Sequence, residues 1–272
     1  MKKIIALLLT VVMLVAFASC GTKDTGDTSS VESIKKTSDL EYIKGKNKII
    51  VGITEYAPMN YKEEGSDKWT GFDTEFAEKF AEMIGVEIEF IEIDWDSKQM
   101  ELKSKSIDAV WNGMTITDEV KKTMDVSNAY VKNAQVVVMA ADKVKNYTTK
   151  DSLKDLKFAV ESGSAGEKAV KDAGFANSTV VKTQALALLE VKSGSADACV
   201  IDITMANAMT GEGTSYADLA KGIELTTEEY GVAFRQGSDM VEVFNAFMKE
   251  VYQNGWLKEL AKKYELTLAL EA

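Results

Sequence analysis

The residues able to do chemistry in this chain stand at the ends of apolar runs. Val160-Glu161-Ser162-Gly163-Ser164 passes from a strand-like run into a turn, and Ala165–Asp172 after it reads as a helix. Free N–H groups and the dipole at a helix start favour an anion such as a carboxylate, which makes Ser164 and the Ala165 amide an anion-binding candidate. The alternative is plain capping, with the Ser164 hydroxyl spent on the helix itself. Asp202 follows Ala198-Cys199-Val200-Ile201 and precedes a helical stretch to Met209, so it too is placed to cap a helix. The capping alternative holds for Thr115 as well. Cys199 lies inside an apolar strand, where a thiol is an inert small hydrophobe and not a nucleophile. The chain contains no histidine. That removes the commonest general base and metal ligand, and with it any Ser-His-Asp or Cys-His arrangement. No metal and no cofactor are expected.

These residues need a scaffold, and the hydrophobic pattern supplies one. Lys48–Ile53 is β-branched and apolar, a first strand. Asp73–Ile84 carries Phe76, Ala77, Phe80, Met83 and Ile84 at helical spacing, with Asp73 as its N-cap. Val86–Ile93 alternates as a strand, Asp96–Lys105 is a helix, and Ile107–Trp111 is another strand. The order then repeats: Ala134–Ala140 strand, Lys157–Val160 strand, Ala165–Asp172 helix, Thr179–Lys182 strand, Gln184–Ser193 helix, Asp197–Ile201 strand. Tyr230–Arg235 is β again, and helices over Met240–Tyr252 and Trp256–Tyr264 close the chain. Strands alternating with helices imply an α/β fold of two units, each a mainly parallel sheet flanked by helices. If the strand at 230–235 returns the chain, the last helices belong to the first unit. In open α/β sheets the crevice for a ligand lies at the carboxyl ends of the strands. Thr54–Tyr56, Asn112–Thr115, Ser162–Ala165 and Asp202 all follow strands directly.

The first residues carry a different message. Lys2 and Lys3 precede an apolar run from Ile4 to Phe17, and Phe17-Ala18-Ser19-Cys20-Gly21 ends it with small residues and a cysteine. That is the pattern of a secretory signal with a lipoprotein-type cleavage site. A helix over Ile4–Phe17 would rise only about 21 Å at ~1.5 Å per residue, short of the ~30 Å hydrocarbon core, so a spanning anchor is disfavoured. The segment resembles the lipobox of bacterial lipoproteins, with Phe17 where leucine is usual. The resemblance implies a signal peptide over 1–19, lipid on Cys20, and a Gly, Ser, Thr and Asp-rich tether over 20–37. The formal charge of the whole chain is −11. With no basic tract, nucleic acid is not an expected partner.

Gly71-Phe72-Asp73-Thr74-Glu75-Phe76, Ile107-Asp108-Ala109-Val110-Trp111-Asn112-Gly113-Met114-Thr115-Ile116-Thr117, the Ser162-Gly163-Ser164 turn and Asp197-Ala198-Cys199-Val200-Ile201-Asp202 occur in that order. Together they resemble the family 3 extracellular solute-binding proteins, the polar-amino-acid class that feeds ABC importers. The resemblance implies a type II periplasmic-binding-protein fold: 38–133 plus 234–272 form one lobe and 134–233 the other. The connecting strands are expected near Ala134–Val138 and Glu229–Ala233, with ligand captured between the lobes by hinge closure. It implies roles as well. Tyr56 and Trp95 would be aromatic walls, Gly113 and Thr115 contacts to ammonium and carboxylate, Ser164 and Ala165 a carboxylate site, and Asp202 the carboxylate that holds an α-ammonium. Glu55, near the cleft, hints at a cationic or amide side chain. Phe80, where smaller aliphatics are usual, should sit harmlessly on a core face.

One position departs. The family places an arginine three residues after the Met-Thr-Ile-Thr run to pair with the ligand carboxylate, and here that residue is Val120. Lys121 is turned about 100° away on a helix and does not substitute. Arg235, the only arginine, ends a connecting strand, where a structural role is expected. A charge-assisted hydrogen bond is worth roughly 1.5–3 kcal/mol. Its loss leaves two possibilities: a carboxylate held by hydroxyls and amides alone, or a ligand other than a standard α-amino acid. The expected protein is a monomeric, lipid-anchored, extracytoplasmic receptor that meets a permease and has no enzyme activity. The alternatives are a sensory or adhesive surface lipoprotein, or a dehydratase acting on a small cyclic acid through Glu55, Glu161 and Asp202.

Overall fold

The computed structural model describes residues 38–270, so the signal, Cys20 and the tether lie outside the described residues. Two five-stranded sheets form the framework. The first runs, edge to edge, Glu87–Glu92, Lys48–Ile53, Ala109–Val110, Ala233–Arg235, Met124–Val126. Its first three strands are parallel, and Ala233–Arg235 is antiparallel to both neighbours. The second runs Ser178–Val181, Phe158–Glu161, Ala198–Asp202, Gln135–Ala140, Leu219–Glu224. It repeats the plan, parallel over three strands and antiparallel around Gln135–Ala140. In each sheet the strand that breaks the parallel run, Ala233–Arg235 or Gln135–Ala140, is one the chain enters directly from a crossing between sheets.

The crossings themselves are two short strands, Val131–Asn133 and Glu228–Tyr230, paired antiparallel with Tyr230 opposite Val131. The first lies upstream of the expected 134–138. Val136, Val137, Val138 and Met139 are instead buried in the second sheet. A continuous apolar run of this kind is the mark of a strand covered on both faces, which suits a sheet interior and not an exposed connector. The second crossing stops at Gly231, where a Cβ would come within 2.8 Å of Val126 Cγ1 and 2.9 Å of Ile116. The strand expected over 230–235 is therefore two strands separated by a close approach.

The core of the first sheet is aromatic. Phe72, Phe76 and Phe80 of the helix Phe72–Ile84 are fully buried against Trp111 and Phe244, with ring centroids 5.1 Å apart for Phe76–Trp111 and 4.8 Å for Trp111–Phe244. Each such side chain contributes about 1.5–3 kcal/mol by burial. Phe80 does sit on the core face, and Phe244 and Phe247 bring the helix Met240–Gln253 back onto the first sheet. Phe158 and Phe175 stack at 4.7 Å in the second core. Asp73 is not the cap; Gly71 precedes the helix, and Asp73 lies buried one residue inside it. Arg235 is structural. Its Nε donates to Asp39 Oδ2 at 3.0 Å, one NH₂ to Asp108 Oδ1 at 3.1 Å, and the other to the Ile107 carbonyl at 2.7 Å. Cys199 is buried and free, and burial pushes its thiol well above the ordinary range.

Candidate functional site

The loops that follow the strands of both sheets meet around one cavity of about 310 Å³, the low end of the size range for small-molecule sites. Tyr56, Trp95, Gly113, Thr115, Ser164, Ala165 and Asp202 all line it. Glu55 does not. The chain at 54–56 is extended, so neighbouring side chains point to opposite sides, and Glu55 is exposed between buried Thr54 and Tyr56.

Local hydrogen bonds hold the loops of the first sheet. Asn112 Oδ1 accepts from the Thr54 amide at 3.0 Å and from its hydroxyl at 2.8 Å, tying two strand ends together. The Gly113 amide donates to Asp73 Oδ2 at 2.6 Å and Tyr130 OH to the same oxygen at 2.9 Å. Burial pushes the Asp73 carboxyl up to about 7, against the pull of those bonds. Gly113 has φ +56°, and a Cβ there would meet Tyr56 Cε1 at 2.6 Å. Tyr56 is thus pressed against the loop, with its hydroxyl 2.5 Å from both Thr204 Oγ1 and Tyr230 OH. It joins one sheet to a helix of the other as well as walling the cavity.

Asp202 is the hub. Its side chain makes no cap bond. Its Oδ1 accepts from Gln135 Nε2 at 2.9 Å, Tyr230 OH at 2.8 Å and Asn133 Nδ2, and its Oδ2 accepts from Gln184 Nε2. Glu228 lies beside it: Oε1 accepts from Thr115, Asn133 and Gln135, each at 2.7 Å. Two carboxylates therefore share the Asn133 and Gln135 amides, and burial together with the Glu228 charge pushes the Asp202 carboxyl up to about 7. Thr115 is bound to Glu228, and the capping alternative does not hold for it, since Thr117 caps that helix by accepting from the Val120 amide at 3.1 Å. Ser164 does cap: its hydroxyl accepts from the Glu167 amide at 3.1 Å and donates to the Glu161 carbonyl at 2.8 Å. The amide of Ala165, in the first turn, has no partner within its own helix.

Several site residues carry no signal in the pattern of the sequence. Lys98 Nζ donates to the carbonyls of Trp95 at 2.9 Å and Gly163 at 3.0 Å, crossing from one set of loops to the other. It lies 4.7 Å from the Trp95 ring centroid, so a protein cation already covers that aromatic wall. Burial pushes Lys98 down to about 8. Asn133, Gln135 and Glu228 read singly as ordinary polar residues flanking strands. The one available hint was an acid or amide on an otherwise apolar face, as with Asp73 between Phe72 and Phe76. Val120 is buried at the cavity wall and Lys121 is exposed away from it, as the helical step requires. Among the described residues no cluster of His, Cys, Asp and Glu is arranged to hold a metal ion, and no helix is long and apolar enough to cross a membrane.

The profile of the bacterial extracellular solute-binding proteins, family 3, matches residues 49–267. The chain belongs to that family. Its relatives include the arginine-binding extracellular protein ArtP of Bacillus subtilis, 34% identical over 97% of this chain and 98% of its own length. The L-cystine-binding protein TcyA of the same organism is 31% identical over 97% of each chain. Among solved structures, the ancestral amino acid-binding protein AncCDT-1, a precursor of cyclohexadienyl dehydratase, superposes with a TM-score of 0.76 at 31% identity, over 84% of this chain and 99% of that one. A mutant of ArgBP from T. maritima gives 0.77 at 29% identity, over 83% and 98%. Two mixed sheets joined by paired crossing strands are therefore the type II periplasmic-binding-protein arrangement of this family.

Proposed function

We propose that this chain is the substrate-binding component of an ABC importer and takes up an amino acid in the cavity between the two sheets. The observation that carries the reading is the wiring of Asp202. The carboxylate at the end of Ala198–Asp202 is bonded directly to Asn133 and Tyr230, one from each crossing strand. A ligand ammonium that binds Asp202 acts on the strands about which the two halves turn, which is what hinge closure on a ligand requires. Relatives named for arginine and cystine binding support the amino-acid class.

On this reading the lobes are 38–133 plus 234–272, and 134–233, with Tyr56, Trp95, Gly113, Thr115, Ser164, Ala165 and Asp202 as ligand contacts. The receptor is monomeric, tethered outside the cell by lipid on Cys20, docks on a permease, and turns over no substrate. Calorimetric titration of the detergent-solubilised full chain with a panel of amino acids tests it. Micromolar or tighter binding of at least one, lost in Asp202→Ala with the melting transition intact, is the expected result. No binding across the panel sinks the reading.

A further inference from the structure

One polar group in the cavity is left over once the framework bonds are assigned. Glu161 ends the strand Phe158–Glu161, lines the cavity, and is only 2% exposed. Its Oε1 has no hydrogen-bond partner. The charges of Asp202 and Lys98 act on it, and Gln184 and Thr54 lie near enough to hydrogen-bond its carboxyl. Lys98 Nζ spends two of its three N–H groups on the Trp95 and Gly163 carbonyls. Gln184 is bonded to Asp202 through both ends of its amide, and the Thr54 hydroxyl donates to Asn112. A buried carboxylate oxygen without a donor is costly, and a cationic group of the ligand can supply one.

We infer that Glu161 is a specificity-determining residue that accepts a cationic group of the ligand, so that the cavity selects amino acids with a basic side chain. The inference rests on the reading of the chain as an amino-acid receptor. Charge balance agrees with it. The buried ionisable groups lining the cavity are two acids, Asp202 and Glu161, and one lysine, Lys98, and Val120 adds no cation. A basic amino acid brings two positive groups and one negative: the α-ammonium for Asp202, the side chain for Glu161, the carboxylate for the helix start at Ala165. A neutral amino acid leaves Glu161 Oε1 as it is. Burial and the Asp202 charge push the Glu161 carboxyl up to about 8, so seating a cation there releases a proton near neutral pH.

The test is calorimetry on the full chain with L-arginine, L-lysine, L-ornithine, L-glutamine and L-cystine, in two buffers of different ionisation enthalpy. In the wild type at least one basic amino acid should bind about ten- to a hundredfold more tightly than L-glutamine, with proton release. Glu161→Gln keeps the shape of the side chain and should erase both the preference and the release. Equal affinity for L-glutamine and every basic amino acid in the wild type overturns the inference and leaves the receptor reading standing; the wild-type comparison decides even if the variant does not fold. Unchanged preference in a folded Glu161→Gln also overturns it. Failure of all five to bind, with other amino acids bound, overturns the inference alone, whereas failure of every amino acid overturns both.

Discussion

Asp202→Asn separates the two duties of the hub residue. Asparagine keeps one acceptor oxygen for Gln135 and Tyr230, which both donate to Oδ1 in the wild type. On the other side its new amide faces the Gln184 amide, donor against donor, because Gln184 Oε1 is held at 2.9 Å by the Asp202 backbone N–H. One framework hydrogen bond is lost, worth about 1 kcal/mol. The loss is offset by removing a buried charge next to Glu228. The sign of the offset follows from the raised carboxyl: burial and Glu228 hold Asp202 at about 7 in the folded protein against an ordinary 3.8. The folded state binds this proton more tightly than the unfolded chain does. Its stabilisation is complete below about pH 4 and gone once the pH has risen past about 7. The wild type should therefore lose stability relative to the variant across that window and fall level with it, or below, by pH 8. Ligand binding shows the opposite preference. Loss of a charge-assisted bond to an ammonium costs about 1.5–3 kcal/mol, a ten- to hundredfold rise in Kd. Chemical denaturation at several pH values and calorimetry at pH 7 read the two effects separately. Wild-type affinity in the variant would refute the role of Asp202 in holding the ligand. A stability difference flat from pH 4 to 8 would refute the raised carboxyl.

Three further substitutions probe the framework. Arg235→Leu leaves Asp39 buried without its partner while Lys46 still neutralises Asp108, at 2.5 Å, so unfolding in urea should show a loss near the low end of the ~3–5 kcal/mol typical of broken buried pairs. Asp73→Asn should gain stability relative to the wild type as pH rises through about 7, because its carboxyl is raised by burial and the proton it holds below that pH is lost; melting curves at pH 5 and pH 8 check the sign. Gly113→Ala places a methyl 2.6 Å from Tyr56 Cε1 at a left-handed backbone position, so Tyr56 must move off Thr204 and Tyr230; calorimetry should show affinity reduced about tenfold or more, and an unchanged Kd would mean Tyr56 does not shape the cavity.

The regular elements were legible because each is written locally. The helix Ala165–Asp172 has the bounds its periodicity predicts, and Lys48–Ile53 is the strand its β-branched run predicts. Positions just beyond strand ends were legible as well, since α/β topology puts them in the crevice whatever their identity. Orientation within a loop was less so: Glu55 and Tyr56 are adjacent, and the alternation of an extended chain sends only one of them to the cavity. The crossing strands were misplaced by a few residues because Val136–Met139 looks the same in a connector as in a sheet interior until its partners, Ala198–Asp202 and Leu219–Glu224, are known.

The polar hub was hidden for a deeper reason. Asn133 and Glu228 are 95 residues apart, and Tyr56 and Thr204 are 148 apart. Neither pair has any local spacing to betray it, and each member alone is an unremarkable polar residue beside a strand. What brings them together is the double crossing of the chain between sheets, which pairs Val131–Asn133 with Glu228–Tyr230 directly under the carboxyl end of Ala198–Asp202. Topology of that kind fuses the site to the connectors. Groups that hold Asp202 in place are the same groups that set the geometry of the crossing, so on the proposed reading a cation bound at Asp202 acts on the crossing through Asn133 and Tyr230. Selectivity, on the inference drawn above, rests on a residue beside that network and coupled to it through the Asp202 charge. Glu161 bonds to neither crossing strand, so its free oxygen is open to a ligand group while Asp202 keeps its bonds to Asn133 and Tyr230.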